Sequence, residues 1–185
     1  MSSTRLLILG VLLKRQPIHG YDVRKELEIW HAGKWANIAY GSIYFALNKM
    51  ASEGLAETAS SEKTIENKKG PARIAYQVTE KGRQEFERLL DKAIWEYKPE
   101  CDSFHIALMF MNRISKDHLL GAFRHRINLL RADIESFKAT AEFNLFPANS
   151  PHYLSENLRL FSARLEAELR WIEGMVGKVE QGLLF

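Results

Sequence analysis

The first strong pattern along the chain is an apolar run, Leu6–Leu13, broken only by Gly10. A helix made from it is apolar on every side, so it must be covered from several directions. A small domain can supply that cover only with help from outside itself. Pro17 then breaks the chain, and Gly20 precedes a second helix, from about Tyr21 to Trp30, with Val23 and Leu27 as its inner face. Gly33 and the stretch 37–41 form the next connection. From about Ser42 to Ser52, Ile43, Leu47 and Met50 recur at i, i+4, i+7 and predict a third helix with one buried stripe. Ser42 is its expected N-cap or first-turn residue, and Gly54 stands where a left-handed C-terminal cap belongs. The opposite face carries Phe45, Asn48, Lys49 and Ser52, with Ser42 and Tyr44 at its margins.

The period then changes from helical to alternating. Residues 55–60 read as a strand, and Ile74, Tyr76 and Val78 alternate with smaller or polar residues as a second one. Between them lies a polar tip with Lys63, Lys68, Lys69 and Arg73, closed by Gly70–Pro71. Three helices followed by a hairpin with a basic tip make a winged helix-turn-helix. Thr79 is expected to cap a fourth helix running to about Tyr97, and Pro99 closes this first domain, residues 1–98.

The remainder, 99–185, reads as helical. A short helix, 103–112, precedes a long one that starts after Ser115. In it Leu120, Phe123, Ile127, Leu130, Ile134, Phe137 and Ala141 follow one another at steps of three and four, a sustained heptad seam. After a turn at 146–151, the last helix carries Leu154, Leu158, Phe161, Leu165, Leu169, Ile172, Val176 and Val179. Two such helices form an antiparallel hairpin with too little core to bury both seams, which favours pairing with a second chain. The fold class is therefore mainly α with a small β-hairpin: an N-terminal winged helix and a C-terminal antiparallel helical dimerisation domain.

The motifs in register resemble the PadR family of bacterial transcriptional regulators. They are Leu7-Ile-Leu-Gly-Val-Leu-Leu, His19-Gly-Tyr-Asp, Gly41-Ser-Ile-Tyr-Phe-Ala-Leu, Glu53-Gly-Leu and Tyr76-Gln-Val-Thr-Glu-Lys-Gly. The second half is similar to the long C-terminal domain of the subfamily that holds the phenolic-acid-responsive repressors. The resemblance implies a DNA-binding homodimer in which the C-terminal helices of one subunit clasp the N-terminal helix of the other. That arrangement would explain the all-round apolar first helix.

Charge and chemistry refine this picture. A formal net charge of +3 is too small to argue for nucleic acid by itself. Local placement has to carry the case, and it points to Ser42, Tyr44, Phe45, Asn48, Lys49, Lys68, Lys69 and Arg73 as DNA-facing residues. Asn48 can bond an adenine edge, Lys49 a guanine or a phosphate, and Tyr44 a phosphate. The competing reading of the third helix is an ordinary amphipathic helix with a solvated face, and that of the lysines a polar loop tip.

Cys101 is the only cysteine, which excludes an internal disulfide and suits a reducing cytoplasm. No run approaches the ~20 apolar residues of a membrane span. His105, His118, His125 and His152 have no metal-ligand spacing, and no catalytic motif or cofactor fingerprint is present. The expected protein is not an enzyme and has neither metal nor cofactor.

Aromatic residues near the expected domain junction suggest a site for a planar aromatic effector, with Trp95, Phe104, His105, His152, Tyr153 and Trp171 as candidate contacts. The function expected from all this is repression at a palindromic duplex operator, relieved by a small aromatic molecule. An activator or effector-independent regulator of the same fold, or a winged-helix protein-interaction module, remains the alternative.

Overall fold

The computed structural model describes residues 2–59, 74–97, 102–142 and 153–184, together with Phe146 and Ser150. The chain forms two compact units, Met1–Lys98 and Pro99–Phe185.

The first unit begins with α1 (Ser2–Lys14), β1 (Ile18–His19), α2 (Gly20–Ile29), α3 (Ala32–Trp35) and α4 (Ser42–Ser52). It continues with β2 (Ala56–Ala59), β3 (Ala75–Val78) and α5 (Glu80–Trp95). Within this unit alone α1 is packed by α2, α4, α5 and β3, and Ile8, Leu9, Val11 and Leu12 are buried. The unit thus supplies most of the cover that the sequence pattern assigned to an outside partner. Leu6, Leu7, Gly10 and Leu13 stay half-buried. α3 is also absent from the sequence reading. It is a single turn held between two left-handed residues, His31 and Asn37, inside what reads as a connection.

α4 spans the expected residues, with Ile43, Leu47 and Met50 buried. Its C-terminus closes as expected through Gly54, at φ 72°. The Gly54 N–H donates to the Ala51 carbonyl at 3.1 Å and the Leu55 N–H to that of Met50 at 2.9 Å. These paired bonds satisfy carbonyls that the helix end leaves orphaned. At its N-terminus Ser42 is the expected first-turn residue rather than the cap, which is Gly41, and the Ser42 hydroxyl donates back to the Ala39 carbonyl at 2.7 Å.

The hairpin strands β2 and β3 are antiparallel, pairing Ala56 with Val78 and Ala59 with Ala75. The two-residue β1 adds a third strand beyond β3, so β3 is central. Ile74, expected inside the second strand, precedes it and is exposed. The tip expected to carry Lys63, Lys68, Lys69, Gly70–Pro71 and Arg73 lies outside the described residues.

Thr79 caps α5 as expected, its Oγ1 accepting from the Gly82 N–H at 3.1 Å. The same residue ties α5 back to the end of α4. Its N–H donates to the Leu55 carbonyl at 3.2 Å and its hydroxyl to the Gly54 carbonyl at 2.7 Å. A Cβ on residue 82 would stand 1.9 Å from the Leu55 carbonyl oxygen, so only glycine permits this approach.

The second unit holds α6 (Ser103–Leu108), a 3-10 turn (Met111–Arg113), α7 (Lys116–Glu142) and α8 (Leu154–Glu180). The single helix expected over 103–112 is thus broken after Leu108. α7 and α8 pack as an antiparallel pair, with Arg124 bonded to Glu180, Arg131 to Glu173 and Lys138 to Glu166. The Lys138–Glu166 contact, at 2.5 Å, lowers the carboxyl pKa and raises that of the ammonium, chiefly through the shared hydrogen bond. All seven α7 seam residues are buried. The α8 seam is not closed in the same way: Phe161, Leu165, Leu169 and Val176 stay half-buried, while Ser162 and Met175 are buried instead.

Candidate nucleic-acid interface

The α4 surface is built by anchoring one face and presenting the other. Ile43, Leu47 and Met50 fix the helix to the core of the first unit, and the residues between them are thereby turned outward. Tyr44 and Phe45 are exposed, Phe45 at 70%, as are Ser42 and Asn48, while Lys49 is half-buried. An exposed phenylalanine beside a tyrosine and an asparagine is an unusual way to solvate a helix, and it suits a contact surface. The loop entering α4 is fixed by Tyr40, whose hydroxyl accepts from the Gly33 N–H at 3.0 Å.

Two candidates are more constrained than their sequence positions suggest. Lys49 lies 4.0 Å from Glu53, one turn on. Asn48 accepts a hydrogen bond from the Tyr76 hydroxyl at 2.8 Å through Oδ1. Tyr76 belongs to central strand β3, is 6% exposed, and has its phenol pKa raised by burial. This bond was invisible in the sequence, because it depends on how the hairpin folds against α4. The alternation that places Tyr76 inward was the only available signal.

Arg5, on α1, also reaches this neighbourhood. With Thr4 it borders a shallow hollow lined by Ser42, Phe45, Ala46, Lys49 and Met50. Its guanidinium is engaged by Glu53 at 2.5 Å and Glu85 at 3.4 Å. The Glu85 carboxyl is held below its ordinary pKa, first by its hydrogen bond to Arg88 and also by Arg5. Lys68, Lys69 and Arg73, the candidate phosphate contacts, lie outside the described residues.

The candidate effector residues do not form one group. Phe104 and Trp171 meet in the second unit, edge to face at 6.3 Å, and both contact buried Phe123 in the same manner. The Arg126 guanidinium stacks 3.8 Å over Phe104 while bonding Glu168 at 2.5 Å. His105 is exposed, and its Nδ1 stands 3.0 Å from Asp102. Tyr153, 75% exposed, occupies the cap position of α8. At 1.5 Å per residue it is roughly 27 Å along the helix from Trp171, so the two cannot hold one small ligand within a chain. Trp95, 80% exposed, belongs to the other unit, and His152 lies outside the described residues. Arg126 is the cation that sequence reasoning did not assign to this cluster.

Among the described residues no group of acidic, histidine or cysteine side chains could hold a metal ion. No helix there is long and apolar enough to cross a membrane.

Comparison with known proteins adds the following. Residues 8–88 match the model of the transcriptional regulator PadR-like family. No curated protein sequence gives a significant match. Among solved structures, Bacillus subtilis PadR in complex with operator DNA is 21% identical, covering 95% of this chain and 98% of that one at a TM-score of 0.69. The same Bacillus subtilis protein in complex with p-coumaric acid is 20% identical, covering 96% and 99% at 0.70. The Vibrio cholerae virulence activator AphA is 20% identical, covering 96% and 98% at 0.75. At these identities the likeness is one of fold.

Proposed function

We propose that this chain, whose residues 8–88 match the transcriptional regulator PadR-like family, is a dimeric DNA-binding regulator that lays α4 in the major groove of a two-fold operator. The observation that carries this reading is the construction of α4. Three buried apolar residues lock the helix while Tyr44, Phe45 and Asn48 are held outward, directly ahead of a β-hairpin. The hairpin tip, with Lys68, Lys69 and Arg73, would contact phosphates and displace condensed counterions. The α7–α8 pair would supply the dimer contact: Phe161, Leu165, Leu169 and Val176 pack toward α7 yet stay half-buried, which leaves apolar flank for a second chain. In such a dimer the two copies of α4 must sit about one DNA turn, roughly 34 Å, apart.

The reading extends to repression relieved by a planar aromatic acid, in line with the operator and p-coumaric acid complexes of the Bacillus subtilis protein. Phe104 and Trp171 are the rings that such a ligand would meet. The ligand would act by binding better to dimers whose α4 spacing does not fit DNA, and it can shift the equilibrium only by that difference in affinity. Activation of transcription is the second reading, favoured by the likeness to the Vibrio cholerae activator.

The test is a gel shift on duplex DNA from upstream of the protein's own gene, repeated across salt concentrations and with p-coumaric acid. Tight, strongly salt-dependent binding is expected, weakened by the acid, together with a dimer mass in sedimentation. Absence of duplex binding at low salt would overturn the DNA reading. Binding that p-coumarate, benzoates and larger planar aromatics leave unchanged would overturn the effector reading alone.

A further inference from the structure

We infer that Tyr76 fixes the orientation of the Asn48 amide so that this residue offers DNA a hydrogen-bond donor and selects against cytosine at one position of each half-site. The inference rests on the reading that α4 docks on DNA. It begins from the bond between the Tyr76 hydroxyl and Asn48 Oδ1, 2.8 Å long. Tyr76 is well suited to impose a geometry. It sits on the central strand, paired with Thr58 on one side and Ile18 on the other, and its ring is buried. Burial also raises its pKa, so the hydroxyl keeps its proton, and the bond geometry has it donate to Asn48. Asn48, by contrast, is exposed on a helix, where asparagine is a poor former, so helix stability does not account for its presence.

A side-chain amide has two unlike ends, an acceptor oxygen and an NH2 donor. Reading adenine in the usual bidentate way requires both ends to face the base together. With Oδ1 drawn toward β3 by Tyr76, the end left to face a ligand is Nδ2. A lone donor in the major groove is met by purine N7, guanine O6 or thymine O4. Cytosine offers only its N4 amino donor there, and the two donors oppose each other. Asn48 therefore acts as a reader that excludes one base, and Tyr76 as its positioning residue.

The experiment is selection from a randomised duplex library with the full-length protein and three variants. The selected duplexes are then measured with each base substituted in turn, and each variant's melting temperature confirms folding. For the wild type, cytosine at one position per half-site is expected to weaken binding about tenfold, the scale of one good base contact. Asn48→Ala should lose that discrimination. Tyr76→Phe should weaken it severalfold and let adenine gain, because the freed amide can turn to the bidentate pose. Its affinity for mixed-sequence DNA and its salt slope should stay at the wild-type values. Asn48→Asp should reverse the preference toward cytosine, whose amino group a carboxylate accepts. An unchanged base preference in Tyr76→Phe, or an Asn48-dependent position that demands adenine, would overturn the inference while leaving DNA docking intact. A wild-type protein that enriches no sequence and binds no duplex would instead overturn the docking reading.

Discussion

Replacing Gly82 with alanine adds a single methyl group, and it should disable the junction between α4, the hairpin and α5. The new Cβ would lie 1.9 Å from the Leu55 carbonyl oxygen and 2.7 Å from Val78 Cγ2. Carbon–oxygen contacts settle at about 3.3–3.6 Å, so α5 must withdraw by about 1.4 Å. The obstacle is backbone, which cannot rotate aside as a side chain would. Withdrawal strains the two bonds by which Thr79 holds the carbonyls of Leu55 and Gly54. At about 1 kcal/mol net for each bond, these contribute about 2 kcal/mol. Misfit packing adds about 1–3 kcal/mol, and the better helix propensity of alanine returns about 1 kcal/mol. The expected net loss is about 2–4 kcal/mol, a large share of the roughly 5–15 kcal/mol by which domains are stable. Urea unfolding followed by circular dichroism, at one fixed protein concentration, measures it. Gly121→Ala, in α7 with open space around the new atom, is the control and should gain about 0.5–1 kcal/mol. A Gly82→Ala protein within about 1 kcal/mol of wild type would refute the claim that this close approach locks the junction.

Two further outcomes can be measured in the second unit. Phe123→Ala removes the buried ring that Phe104 and Trp171 both touch and should cost about 3–5 kcal/mol, with a matching change in Trp171 fluorescence; an unchanged unfolding midpoint would contradict the packing described. The Asp102 carboxyl is held below its ordinary pKa first by the His105 N–H and then by its ring. A carboxyl depressed in the folded state contributes stability above its unfolded pKa and loses it as the pH falls through the lowered value. Asp102→Ala should therefore be less stable than wild type at neutral pH, the difference closing in acid. A difference that stayed constant down to the acid limb would refute that role.

Much of the fold was legible because periodicity is a local property. The stripe Ile43–Leu47–Met50, the α7 seam, the Thr79 cap and the Gly54 terminus each depend on residues within a few positions of one another. What could not be read depends on register and on three-dimensional cover. Tyr76 reaches Asn48 only because the hairpin pairs Thr58 with Tyr76 beside α4. The cover over Ile8, Leu9, Val11 and Leu12 comes from four separate elements of the same unit, whereas an all-round apolar sequence only announces the need for it. The short strand β1 is too brief to leave a periodic signature. In the candidate effector set, aromatic content is visible in the sequence, whereas the separation of Tyr153 from Trp171 comes from the length of α8.

The bonds from Thr79 to the carbonyls of Gly54 and Leu55 have a mechanical meaning as well as an energetic one. Gly54 and Leu55 close α4 through their N–H groups, and their carbonyls accept from Thr79, which opens α5, so the end of α4 and the start of α5 are tied through the same two residues. Interiors packed this closely pass on a displacement rather than absorb it. A tilt of α5 at Thr79 is thus passed to the end of α4, in the manner of a crank on a shaft. A chain joined in this way needs no series of intermediate residues to carry a displacement into α4. It needs only something that grips α5.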